Sequence, residues 1–178
     1  ALLAAGQAAD AQTLLEPLAV QSPRWRAVWV ELAAESVRDA ATAGAWLDEI
    51  GTLIPDGDSG TYERVTLAKG YFDASQRLGV PALRTRAKEL LLPVVAAADA
   101  PVEAVLVLAF CAELDNDAAF AERYYRRVHG EKPELAVAAN NLAMILLRQK
   151  RDVTEAAALA AAAVAAERQR AHFQHTLA

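Results

Sequence analysis

The chain has 178 residues, 54% of them hydrophobic but only 6% aromatic. Alanine therefore carries much of the apolar share, which favours helix over sheet, and the length suffices for one sizeable core. The formal charge of −5 argues against a phosphate-backbone partner and so against nucleic acid, and no apolar run is long enough to cross a membrane.

Residues 1–23 (ALLAAGQAADAQTLLEPLAVQSP) predict one helix ending near residue 21. Residues 26–55 predict two more. The first carries Trp29 and the pair Leu32-Ala33, the second Ala43, Leu47 and Ile50, and Pro55 stops it. PDGDSG, residues 55–60, is a linker. A second pair of helices fills 61–99, with Leu67-Ala68 and Tyr71 in the first, a turn at Gly79-Val80-Pro81, and Ala87, Leu91 and Val94 in the second. A third pair fills 102–135, around Leu108-Ala109 and then Ala121, Tyr125, Val128 and Pro133. A fourth fills 136–168, around Leu142-Ala143 and then Ala156, Ala160 and Ala163. AHFQHTLA, residues 171–178, begins another first helix.

The order repeats. Leu-Ala pairs begin at Leu32, Leu67, Leu108, Leu142 and Leu177, at intervals of 35, 41, 34 and 35 residues. A small residue in each second helix (Ala11, Ala43, Ala87, Ala121, Ala156) stands four and seven places before apolar ones. That spacing puts them on one helix face, with the small residue where two helices cross closest. The seven extra residues of the long interval lie between Leu67 and Ala87 and predict about one added turn on each helix there. Pro17 and Pro93 stand at the same place in their two second helices and predict a kink in each.

Trp29-x2-Leu32-Ala33, Leu67-Ala68-x2-Tyr71, and Ala121-x3-Tyr125 with Pro133 share a pattern with one known signature: W-x2-L-G-x2-Y, then A-x3-F, then P, over about 34 residues. On these positions the chain resembles the tetratricopeptide repeat family. The resemblance spans nearly all of residues 1–178 and implies an all-α fold: a right-handed α-solenoid of stacked antiparallel helix pairs, in one array. It implies a protein–protein interaction scaffold rather than an enzyme, without a cofactor or metal. The expected partner is a peptide or a partner's helix in a concave groove lined by the first helices. Carried over residue by residue, the resemblance assigns Val30, Ala34, Val65, Lys69, Phe72, Leu106, Phe110, Asn140, Asn141, Met144, Leu147 and Arg148 to that groove. An alternative is a non-catalytic segment of a larger enzyme or secretion machine, used for substrate capture or assembly.

Asn140 and Asn141 interrupt an apolar helix, where asparagine is unfavourable because its amide competes for backbone hydrogen bonds. Asn140 is expected to meet a ligand. For Asn141 two readings stand: contact with a ligand backbone, as the resemblance implies, or a bond to a neighbouring helix. The equivalent positions hold Glu31, Thr66, Val107 and Thr176, so there is no asparagine ladder.

Other motifs carry less. GDSG, residues 57–60, looks like a serine-protease nucleophile motif but has no β pattern or suitable histidine around it, so it reads as a turn. Asp56 and Asp58 begin like a calcium loop, but the twelfth residue is Leu67 and not Glu. His172 and His175 lack a third ligand nearby. Arg123, Arg126 and Arg127 read as a solvated helix face. Cys111, the single cysteine, sits in VLVLAFCAEL and reads as a buried thiol. Both ends lie inside repeats, so the natural protein is expected to continue in both directions. Leu2, Leu3, Leu14, Leu15 and Leu18 at one end, and Leu177 at the other, predict self-association through uncapped ends.

Overall fold

Proline, aspartate and glycine set the helix boundaries. The computed structural model describes residues 5–176, and the side chains of residue 7 and of residues 9–168. Among these the chain is all-α, with nine helices, one 3-10 turn and no strand. The helices fall into two compact units, Ala1–Asp99 and Ala100–Ala178.

The first unit holds α1 (Ala5–Gln21), α2 (Pro23–Glu35), α3 (Ala40–Thr52), a 3-10 turn (Asp58–Gly60), α4 (Thr61–Leu78) and α5 (Pro81–Val95). Pro23 and Pro81 open α2 and α5, where a missing N–H costs nothing and φ is already helical. Asp39 caps α3 by accepting the Thr42 N–H at 2.8 Å. Gly79 ends α4 in the left-handed region (φ 69°), and its N–H returns to the Ser75 carbonyl.

Within this unit α2, α3 and α4 pack against one another, α1 packs on α2, and α5 packs on α4. Near their starts, α2 and α4 are joined by Arg26 and Glu63. Near their ends, Arg77 Nε of α4 donates to the Ala34 carbonyl of α2 at 2.6 Å. The two helices therefore run parallel. They approach closely at Gly70. A Cβ there would stand 2.3 Å from Val30 Cγ1 and 3.2 Å from Leu47 Cδ2. Around this crossing the core is built from Trp29 and Trp46, packed edge to face at 6.2 Å, with Leu47, Ile50, Leu67 and Tyr71.

The second unit holds α6 (Val102–Leu114), α7 (Ala118–Glu131), α8 (Ala136–Arg148) and α9 (Val153–Thr176), each packed on the next. Asp117 caps α7 through the Phe120 N–H. Leu108, Cys111, Tyr125, Val128, Leu142 and Leu146 form its core, and Cys111 is fully buried as expected.

The small-residue column holds in both units. Ala43, Ala87, Ala121 and Ala156 are wholly buried, and only Ala11 is half-buried. Two expectations change. The added length lies mainly in the first helix: α4 has 18 residues where α2, α6 and α8 have 13, while α5 has 15. The break expected between residues 168 and 171 is absent, because α9 is continuous from Val153 to Thr176 and no proline or glycine falls in it. Leu2, Leu3, Leu177 and Ala178 lie outside the described residues.

Gly70→Ala should test the crossing. Better helix propensity would add about 1 kcal/mol, but overpacking against the stiff Val30 costs about 1–3 kcal/mol. A net loss of stability by urea unfolding is expected; a gain would mean that α2 and α4 do not meet there. Ala121→Leu should likewise lower stability by about 1–3 kcal/mol.

Candidate partner-binding face

Helix α8 buries one side and exposes the other. Ala138, Ala139, Leu142, Ile145 and Leu146 face inward. Val137, Asn140, Met144, Leu147 and Arg148 are exposed and recur at helical spacing. Met144 is 41% and Leu147 46% exposed, so two large apolar side chains stand in solvent on one stripe. Leu106 and Phe110, one turn apart on α6, are half-buried.

A polar chain ties this face together. Tyr125 of α7 donates its hydroxyl to Glu113 Oε2 of α6 at 2.9 Å. Asn141 Nδ2 of α8 donates to the same hydroxyl at 2.9 Å. Asn140 Nδ2 reaches Asn141 Oδ1 at 3.3 Å, and Arg148 approaches Glu113 Oε1 at 3.5 Å. Phe110 packs edge to face on the Tyr125 ring at 6.0 Å. Burial, then the bond to the Glu113 carboxylate, push the Tyr125 phenol far above its ordinary value of 10.0.

The two asparagines thus have different roles. Asn141 bonds a neighbouring helix, the second of its two readings. Asn140 lies on the other edge of the stripe, exposed, lining an open cavity between α8 and α9 with Ala136, Val137, Ala160, Ala163 and Val164.

Of the twelve residues expected in the groove, seven belong to this unit and lie along α6 and α8 as described. The other five belong to the first unit, and three of them are corrected. Val30, Ala34 and Val65 are 5%, 3% and 8% exposed, so they are core rather than open surface. The reason is the close packing of α4 on α2, with Val30 nested against Gly70. Lys69 is exposed and pairs with Asp73 one turn on, and Phe72 is half-buried.

The arginine cluster is largely neutralised. Arg126 pairs with Glu122 and Glu155, and Arg127 with Glu131. GDSG forms a turn, exposed at Gly57, Asp58 and Ser59 and buried at Gly60, in which Ser59 Oγ donates to the Asp56 carbonyl at 3.3 Å. The side chains of His172 and His175 lie outside the described residues. No described helix is long and apolar enough to cross a membrane.

Sequence reasoning missed the polar ties. Arg26, only 7% exposed, grips both oxygens of Glu63 and also donates to the Ala19 carbonyl of α1 at 2.7 Å. Asp48 of α3 accepts from the Tyr71 hydroxyl of α4 at 2.6 Å and from Arg86 of α5 at 2.8 Å. Burial pushes the Asp48 carboxyl up, but the bonds from Tyr71 and Arg86 outweigh it and hold the group below its ordinary 3.8. One available signal was the spacing: Arg26 and Glu63 are about one repeat apart, both near first-helix starts.

No protein-family model matches this chain, and no curated protein or solved structure gives a significant match.

The asparagines can be separated by experiment. Asn141→Ala should cost about 1 kcal/mol of stability by removing the bond to Tyr125, whereas Asn140→Ala should stay within about 0.5 kcal/mol of the parent. The phenols give a pH test. Tyr125 has a raised folded pKa, so its stabilising contribution is complete below the ordinary value of 10.0 and is lost as pH rises beyond it. Tyr125→Phe should therefore make the alkaline fall in thermal midpoint shallower.

Proposed function

We propose that the chain is a protein-interaction scaffold of the tetratricopeptide-repeat type, with its helix pairs stacked into an α-solenoid, and that the α6–α8 face holds a peptide or a partner's helix. The observation that carries this reading is the exposed stripe of α8, where Met144 and Leu147 stand in solvent beside Asn140. Exposed large apolar residues grouped on one face mark interaction sites more often than isolated ones do. Methionine suits such a surface because its flexible, polarisable side chain adapts to a partner. Asn140 adds an amide able to read a peptide backbone, since it can both donate and accept. The Glu113–Tyr125–Asn141 chain holds α6, α7 and α8 together beneath the stripe, so little ordering is left to be done on binding.

Two features of the first unit support the repeat reading. One is the parallel run of α2 and α4 with α3 packed on both; the other is the buried alanine column. They are what stacking of like helix pairs requires.

Affinity capture with the full chain, followed by mass spectrometry, would supply a partner. Against that partner, Phe110→Ala with Asn140→Ala should weaken binding by more than about 1 kcal/mol, roughly fivefold. Arg123→Glu should change it little. If the arginine substitution abolishes binding and the paired one does not, the partner sits on the α7 face and the proposal fails.

A further inference from the structure

The linker PDGDSG is ordered, and a cavity lies beside it. Arg64 donates to the Pro55 carbonyl at 2.8 Å and to the Gly57 carbonyl at 2.7 and 2.9 Å. Gly60 packs so tightly that a Cβ would stand 2.1 Å from the Pro55 oxygen. Next to this braced turn is a cavity of about 270 Å³. Its walls are Ala27 and Val30 of α2, Ile50 of α3, Ile54 of the linker and Thr66 of α4, with Arg24 and Tyr62 also lining it.

Three polar side chains of the wall, Arg26, Glu63 and Thr66, are already engaged. Arg26 and Glu63 are paired with each other, and the Thr66 hydroxyl donates to the Tyr62 carbonyl at 3.0 Å. An apolar group entering the cavity would therefore displace water without stranding a hydrogen bond. The volume lies near the lower edge of small-molecule pockets, roughly 300–1,000 Å³, and suits one bulky side chain better than a cofactor. The charges of the lining side chains do not balance. The lining carries two arginines and one glutamate; Arg26 cancels Glu63, while Arg24 is exposed and has no carboxylate partner among the described residues. The starts of α2 and α4 lie at this same end, and neither Ser22 nor Gly60 gives a side-chain cap, so both add positive helix-end potential.

We propose that this cavity of the first unit receives a bulky apolar side chain of a partner peptide, with an adjacent acidic residue held by Arg24 and the starts of α2 and α4. The site lies wholly within α2–α4 and does not depend on the α6–α8 reading.

The test is an amide NMR titration of the full chain with acetyl-Leu-Glu-amide, acetyl-Leu-Lys-amide and acetyl-Ala-Glu-amide. The first should shift the amides of Ala27, Ile54, Tyr62 and Thr66 at about 10 mM, and the other two should be at least about threefold weaker. Ala27→Trp, which fills the cavity, should abolish the response. Arg24→Glu, at an exposed position, should reverse the Glu-over-Lys preference without touching the core. No clustered shift at about 10 mM, or equal responses to the Glu and Lys peptides, overturns the proposal. So does a response unchanged in a folded Ala27→Trp variant, or one centred on Asn140 and Met144 instead.

Discussion

Two helices approach one another only as closely as the side chains at their crossing permit. In the first unit this limit is set at Gly70, where α4 rests on Val30 of α2 and Leu47 of α3 with no room for a Cβ. Ala43 and Ala87 in the second helices of that unit are wholly buried, as are Ala121 and Ala156 in the other. With small residues at the crossings, the large ones pack beside them, and Trp29, Trp46, Tyr71, Leu91, Tyr125 and Leu146 are almost wholly buried. Interiors packed to this density leave no slack for an added methyl group.

Hydrophobic packing of alanine-rich helices is poor at choosing a register, because one turn looks much like the next. Directional polar ties supply what packing lacks. Arg26 joins α1, α2 and α4; Asp48 joins α3, α4 and α5; Tyr125 joins α6, α7 and α8. A nearly buried pair such as Arg26 with Glu63 adds little net stability, because desolvation offsets the attraction. Its effect is to penalise alternatives, since sliding α4 along α2 would strand both charges. The exposed pairs around Arg126 and Arg151 contribute less still, being screened by solvent.

This framework governs what is left for recognition. On α8, Asn141 is drawn into the tie with Tyr125, whereas Asn140, one residue earlier, reaches it only through the Asn141 side chain and remains exposed with Met144 and Leu147. Successive residues on a helix differ by about 100° in direction, so neighbours in sequence are divided between structure and surface. In the first unit the same closeness works the other way. Close packing of α4 on α2 leaves Val30 and Val65 buried, while the linker and the cavity beside it stay accessible.

Much of this was legible in the residues themselves. The boundary at Pro23, the turn at Gly79-Val80-Pro81, the alanine column and the buried Cys111 all follow from local chemistry or from a 3.6-residue period. The candidate face was legible in part: Met144, Leu147 and Arg148 were read as surface and are exposed, but Val30, Ala34 and Val65 were read alike and are core. Period alone could not separate them, because the edge of a helix's buried stripe is set by how closely the next helix lies. Nor could it give Asn141 its partner, since Tyr125 is sixteen residues away and reaches it only through the packing of α7 on α8. Where helices form and which small residues they bury is written in the residues, because backbone sterics and side-chain size are local properties. Which polar groups are used internally and which stay exposed is set by the fold, because hydrogen bonds and burial depend on distances between helices that no local pattern specifies.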